Sequence, residues 1–470
     1  MDIFLRYEIS VRELDANILT GLIAASRGHR AIVCDWPMMM RGILLRHRQP
    51  GFVHMNSLTP GKSTSIFHSI FKFFGFQVSS MDQEAGIQRI SYESFAEVRY
   101  AEETVSGADL IFCWGRDDCE TLRRLYPKHG ERIVMSGSPR VDLWRPRFAS
   151  LYVKPERIVR PFVLVLSSLQ GPLLRDRLHE RLIRRRIDGY LDRHPEMESQ
   201  LVGHYKEGAD LMLAYLQLVR SLSLNFPGLE IIVKAHPGED PEIWRGLLGK
   251  TDRVQVDKIT PTSQLIRESM AVITSGSTAA FEVVLSDTPL VSFQPVETPH
   301  RDRGFADTLG FQAKTQEEVQ AIVGGILRPE LQKNFWPLPS SSRADVSRKV
   351  HYDDNQLAAE RMVDSWERAL KIGPQRSSKR SVLSTSIEER KYFVASAFPF
   401  LIPIFDRGRK TSRPAGSQQN HKRPPISRRA LKVRVEEMRS ILGLQDSVAY
   451  RFKGRRGLVI RPSHGDFSRG

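Results

Sequence analysis

Two short stretches of this chain carry residue types suited to holding a phosphorylated group. The first, Lys234-Ala235-His236-Pro237, ends the apolar run Glu230 to Val233, so an ammonium, an imidazole and a rigid turn follow directly on a candidate strand. The second, Thr274-Ser275-Gly276-Ser277-Thr278, lies between the apolar run Ala271 to Ile273 and a helical run from Ala279 to Leu285. Ser277 or Thr278 is placed to cap that helix, whose free amides and positive dipole end favour an anion. Gly276 would let the backbone approach such an anion closely. Serine and threonine are common as plain caps, and a His-Pro after a strand is commonly a plain turn. Together, separated by one more helical segment in a β-α-β pattern, they carry more weight, because the carboxyl ends of adjacent parallel strands converge on a ligand crevice.

The elements that must position these groups alternate between strand and helix. Ile3 to Leu5 reads as a strand, Val11 to Arg27 as a helix with Leu14, Ile18, Leu22 and Ile23 on one face, and Ala31 to Cys34 as a second strand. Arg12, Glu13 and Asp15 open that helix; its acids suit either the helix dipole or a ligand. Phe52 to Met55 is a third strand. Gly61-Lys62-Ser63 after it is no phosphate loop, since Asn56 stands where a glycine is required. Lys62 to Phe76 reads instead as a packed helix with Ile66, Phe67, Ile70, Phe71 and Phe74 on one face. Phe76 to Ser80 leads into Asp82-Gln83-Glu84-Ala85-Gly86, two carboxylates in a turn. Residues 92–106 read as helix, Asp109 to Trp114 as strand, and Arg132 to Met135 as a strand ending in Gly137-Ser138-Pro139-Arg140-Val141-Asp142. Phe162 to Leu166 starts a second series and is followed by Ser167, Ser168 and Gly171, weak candidates for phosphate contact. Arg175 to Arg193 is an arginine-rich solvated helix, Gly208 to Leu224 a long core-facing helix, and Asn355 to Leu370 a final helix.

KAHP and SGSTAAFE resemble the His-Pro and serine motifs of GT-B glycosyltransferases that use cytidine-activated donors, among them sialyl-, Kdo and CDP-glycerol transferases. The opening SVRELDANILTGLIAASRGH, DQEAG at Asp82 and GSPRVD at Gly137 resemble bacterial surface carbohydrate biosynthesis proteins. The resemblance spans roughly residues 1 to 370. It implies an α/β, GT-B-like chain of two Rossmann-like domains facing a central cleft. Residues 1–142 would take the acceptor, with Arg12, Glu13, Asp15 and Arg140 toward the cleft. Residues 143–370, with a returning helix, would take the donor through Lys234, Pro237, Ser168, Ser275, Gly276, Ser277 and Thr278. An acid of the DQEAG segment would deprotonate the acceptor hydroxyl, Glu84 first and Asp82 second. The family's acidic pair is here followed by Ala85 before Gly86, which leaves the register open. His236 would hydrogen-bond or protonate the leaving phosphate. The implied substrates are a nucleotide sugar, CMP-linked first, and a glycan or lipid-linked glycan acceptor, with no further cofactor. The absence of Asp-x-Asp agrees with a metal-independent reaction.

Charge is distributed unevenly. From Lys371 onward there are 23 Lys and Arg against 7 Asp and Glu, the same excess as the +16 of all 470 residues, so the body is neutral. Residues 371–470 therefore read as a basic, low-complexity, largely disordered tail. Within it Tyr392 to Phe405 is apolar, flanked by cations and broken by Pro399 and Pro403, which suits insertion at an anionic membrane surface. Cys34, Cys113 and Cys119 have no ligand spacing and argue for a reducing cytoplasm. No secretory signal is visible, so the expected place is the cytoplasm, peripheral to the inner face of the plasma membrane. Two rival functions are an epimerase of the same architecture and a nucleic-acid-binding protein. The second is disfavoured by the neutral body and by the lack of interleaved aromatic residues in the tail.

Overall fold

A computed structural model of the chain describes residues 1–46, 51–84, 92–151, 160–169, 171–174, 177–187, 189–236, 238–249, 251–299, 304–328, 340–372, 427–454 and 457–463. They form two compact units. One holds Met1–Gly86, Ser91–Leu151 and Ser347–Gly470; the other holds Ile87–Ile90 and Tyr152–Val346.

In the first unit, β1 (Asp2–Arg6), β2 (Arg30–Cys34), β3 (Gly51–Met55), β4 (Phe76–Met81), β5 (Leu110–Cys113) and β6 (Ile133–Met135) form a parallel sheet ordered β2-β1-β3-β4-β5-β6. Strands such as RAIVC and GFVHM are buried along most of their length, as expected where helices cover both faces. The chain leaves β1 toward β2 and returns to β1's other side as β3, which creates a switch in strand order between β1 and β3.

The second unit repeats this plan. Its strands β7 (Phe162–Leu166), β8 (Glu230–Lys234), β9 (Val254–Asp257), β10 (Ala271–Thr274), β11 (Leu290–Phe293) and β12 (Phe311–Ala313) are all parallel, ordered β12-β11-β10-β7-β8-β9. The helix Glu196–Asn225 packs over it through Leu211, Tyr215, Leu218 and Leu222, all buried. Gly171, expected near phosphate, is instead a packing residue. It has φ +56°, and a Cβ there would stand 2.9 Å from Gly208 Cα on that helix.

Three expectations need correction. The strands ending in His236 and in Ser275 are not adjacent, because β9 pairs with β8's outer side before the chain crosses β7 to build β10. Residues 92–106 are two helices, Tyr92–Arg99 and Glu102–Gly107. The final helix, Ala358–Ile372, expected to return, lies in the first unit: Trp366 is fully buried under its sheet and donates to Ser79 Oγ at 2.9 Å. Asp142 reaches across to accept the Ala358 and Ala359 amides at 2.9 Å, capping that helix.

The third correction concerns the tail. Residues 427–454 and 457–463 are folded: a helix, Arg428–Leu442, is followed by β13 (Val448–Lys453) and β14 (Gly457–Pro462), which pair antiparallel. Strand β14 pairs antiparallel with β2 and extends the sheet to eight strands. The helix has a serine N-cap, Ser427, and ends at Gly443 in the left-handed region, so local sequence signals support it despite the basic composition. Residues 392–405 lie outside the described residues.

Candidate functional site

In the second unit the carboxyl ends of β8, β7 and β10 place three loops side by side. Glu239, which sequence reading passed over, ties two of them together. It is fully buried and accepts from Ser167 Oγ at 2.5 Å, Leu169 N at 3.0 Å, His236 N at 3.3 Å and Trp244 Nε1 at 3.5 Å. A carboxylate taking donors from several elements holds them in one geometry. The signal available in the sequence was an acid three residues beyond His236, within the same turn.

His236 itself is exposed, and Gly238 N donates to its Nδ1 at 3.1 Å. An accepting Nδ1 carries no proton, so the neutral ring bears its hydrogen on Nε2. Desolvation is the largest influence on the ring and holds its pKa below the ordinary imidazole value, with Glu239 opposing and Lys258 reinforcing. The imidazole is therefore arranged to donate a hydrogen bond from Nε2 rather than to be held ready as an imidazolium.

Lys234, expected at a phosphate, has partners within the protein. Its side chain is almost wholly buried, and Nζ donates to Asp257 Oδ1 at 2.9 Å and to the Thr260 carbonyl, which fastens the loop after β9 to β8. Ser168 is half-buried, whereas its neighbour Ser167 makes the bond to Glu239. Pro237 lies outside the described residues.

After β10, Gly276 adopts φ +68°, a left-handed conformation that favours glycine. A Cβ there would contact the Asp307 carboxylate at 3.5 Å. The helix begins at Ala280, later than expected, and Ser277 forms the turn into it: its Oγ accepts from Ala279 N at 3.3 Å and its carbonyl from Ala280 N at 3.0 Å. Thr278 accepts Phe281 N at 3.3 Å through its carbonyl. Among the described residues the amides of Gly276, Ser277 and Thr278 donate to no protein group. Successive open amides in a turn are a general means of holding an anion.

In the first unit the acids sort into different roles. Glu13 is buried, and its Oε2 accepts from Glu8 N at 2.6 Å, Ile9 N at 3.2 Å and Asn56 Nδ2 at 2.8 Å, closing the switch between β1 and β3. Asp15 pairs with Arg434 of the C-terminal helix, and burial raises its pKa against that cation. It binds the C-terminal segment, so its expected place at a ligand is not supported. Asp82 is buried and held by Arg99 in a two-pronged contact at 2.9 and 3.1 Å, and its Oδ1 also accepts Glu84 N at 2.9 Å. Glu84 is exposed. Arg140 lies with its guanidinium 5.2 Å from the Trp114 ring centre and donates to the Gln83 carbonyl at 3.3 Å, which sets a cation beside the acidic turn. The side chain of Arg12 lies outside the described residues.

A small pocket at this switch is lined by Glu13, Asn17, His54, Gln83, Ser138 and Arg140, among others. Burial pushes the His54 pKa down to about 3, so this ring stays neutral; its Nδ1 meets Ser79 Oγ at 3.1 Å. His54 sits inside the apolar strand GFVHM and gave no sequence signal beyond its type. Among the described residues no group of three or more His, Cys, Asp or Glu is placed to hold a metal ion.

No protein-family model matches the sequence, and no curated protein sequence matches it. Solved structures do. A Listeria monocytogenes protein assigned as a UDP-N-acetylglucosamine 2-epimerase is 12% identical over 80% of this chain and 98% of its own, with a TM-score of 0.50. An S. aureus MnaA structure with UDP is 14% identical over 80% and 99%, with a TM-score of 0.47. The wall teichoic acid polymerase TagF is 12% identical over 79% and 89%, with a TM-score of 0.48. At these identities the likeness concerns the fold alone, and the fold is GT-B.

Proposed function

We propose that the chain is a glycosyltransferase of surface polysaccharide synthesis that moves a sugar, with inversion, from a nucleotide donor to a glycan hydroxyl. The observation that carries this reading is the placement, on the loops at either side of β7, of an Nε2–H imidazole at His236 and of the backbone amides of Gly276 to Thr278. Donors preorganised around a leaving phosphate stabilise the charge that develops as the glycosidic bond breaks. Ser275, Ser277 and Thr278 add hydroxyls to this group. The motif resemblance supports a cytidine nucleotide and, with the absence of Asp-x-Asp, a reaction without metal.

Glu84 is the better candidate base. A base must meet the acceptor hydroxyl, and Glu84 is exposed whereas Asp82 is buried and held by Arg99 in a two-pronged contact. Glu84→Gln is expected to lower turnover about 100-fold or more without changing melting temperature. Asp82→Asn is expected to destabilise the protein by about 3 kcal/mol, because Arg99 is left beside a neutral amide in a largely buried site. Turnover lost in D82N at unchanged stability, with E84Q active, would reverse the assignment.

The fold favours one alternative. A chain of this architecture could instead epimerise a nucleotide sugar, as the assignment of the Listeria protein indicates for that neighbour. Melting in the presence of CMP, CDP, UMP, UDP and GDP tests the donor: a ligand of the folded form raises the transition, and the cytidine nucleotides are expected to raise it most. Incubation with the stabilising nucleotide's sugar then separates the reactions. A transferase leaves the sugar unchanged until a glycan acceptor is added, whereas a change of sugar without acceptor would establish the epimerase.

A further inference from the structure

The helix Leu178–Ile187, sequence LHERLIRRRI, has two unlike faces. Leu178, Arg181 and Leu182 are half-buried on the side turned to the helices Tyr190–Arg193 and Glu196–Asn225. The other side carries Ile183 and Ile187, one turn apart and 56% and 79% exposed. Helical geometry sets Arg184 on one flank of this isoleucine ridge and Arg186 on the other. Arg186 pairs with Glu198 of the next helix at 2.7 Å, and Val202, one turn beyond Glu198, is 45% exposed. Ile183 and Ile187, on one face of a single helix, and Val202 on the helix that Arg186 reaches are three of the ten large apolar side chains exposed among the described residues.

We infer that this helix docks on an anionic phospholipid surface, the isoleucine ridge entering the boundary of headgroups and acyl chains while Arg184 and Arg186 reach phosphate. Charge decides the occupant. The ten residues hold four arginines and one glutamate, and apolar side chains bordered by long cationic ones match an anionic interface better than a neutral protein face. The helix lies on the surface rather than across it: among the described residues no helix is long and apolar enough to span a membrane. This inference is independent of the proposed reaction and of residues 392–405.

The test is flotation of the full chain with vesicles of phosphatidylcholine, with and without phosphatidylglycerol. The parent is expected to float only with the anionic lipid. Ile183→Asp with Ile187→Asp should reduce binding at least tenfold, and Arg184→Gln with Arg186→Gln about 30-fold, given the usual contribution of each cation near an anionic surface. All four positions are solvent-exposed, so the variants keep the fold, and circular dichroism verifies this. Equal flotation of parent and both variants would overturn the inference and place any binding elsewhere in the chain. So would absence of flotation by the parent, or a concentration-dependent dimer that the Ile183/Ile187 variant dissolves.

Discussion

Replacing His236 with alanine is expected to lower turnover about 100-fold to 1000-fold with little change in stability. The ring is exposed, and the bond it makes through its own atoms accepts the Gly238 amide, so its removal strips one donor from the site and leaves the core intact. His236→Gln, whose amide can donate from nearly the position of Nε2, should recover about tenfold of the loss. The dependence on pH follows from the same geometry. The working form is neutral, protonation at Nδ1 sets a second hydrogen against the Gly238 N–H, and desolvation already disfavours the cation. Activity assigned to this ring is therefore retained above its pKa and lost as pH falls through it, and that limb must lie below the ordinary imidazole value of about 6.5. Turnover by H236A close to the parent, or an acid limb above that value which vanishes in H236Q, would remove His236 from the reaction.

The second large effect is expected at the far end of the chain. Val435, Met438, Val448, Leu458 and Ile460 are all buried, at most 1% exposed. At about 1.5–3 kcal/mol per buried side chain their loss is on the order of 10 kcal/mol, an upper figure that still matches the whole stability of an ordinary domain. A chain ending at residue 426 is thus expected to be insoluble or to lose its cooperative transition. A milder variant keeps the test quantitative. Ile460→Asp sets a carboxylate against the helix Ser10–Ser26, where Gly21 packs so closely that a Cβ would stand 2.9 Å from Ile460 Cδ1. Burying an unpaired charge there should lower the melting temperature by about 10 °C. A truncated chain that melts like the parent would mean that β13 and β14 only rest on the sheet.

Much of the architecture was legible because parallel strands buried on both faces read as short continuous apolar runs. FVLVL, EIIVK and AVIT could be located from composition, and each gave way to polar loops at its carboxyl end. Strand order was not legible. Nothing in the spacing between Lys234 and Ala271 says that β9 turns outward and leaves β7 between the two motifs. The site was legible as residue types and less so as partnerships. Lys234 and Asp82 have the same chemistry on paper as a phosphate ligand and a base, but Asp257 and Arg99, distant in sequence, occupy them. Glu239 and His54 were missed for the converse reason, since burial and convergent donors, invisible in one dimension, set them apart. The C-terminal segment misled through composition: Arg and Lys suggested a solvated tail, yet a short alternation in GLVIRP was enough to build a paired strand.

That pairing bears on how the protein is made. Asp15 and Arg434 meet across 419 residues of chain, and β2 waits over a similar distance for β14. At ribosomal speeds of about 5–20 residues per second, the open flank of β2 is left without its antiparallel neighbour for roughly 20 to 80 seconds. During that interval the nascent chain exposes an unprotected β edge, the kind of surface that recruits chaperones or pairs with a neighbour on the same message.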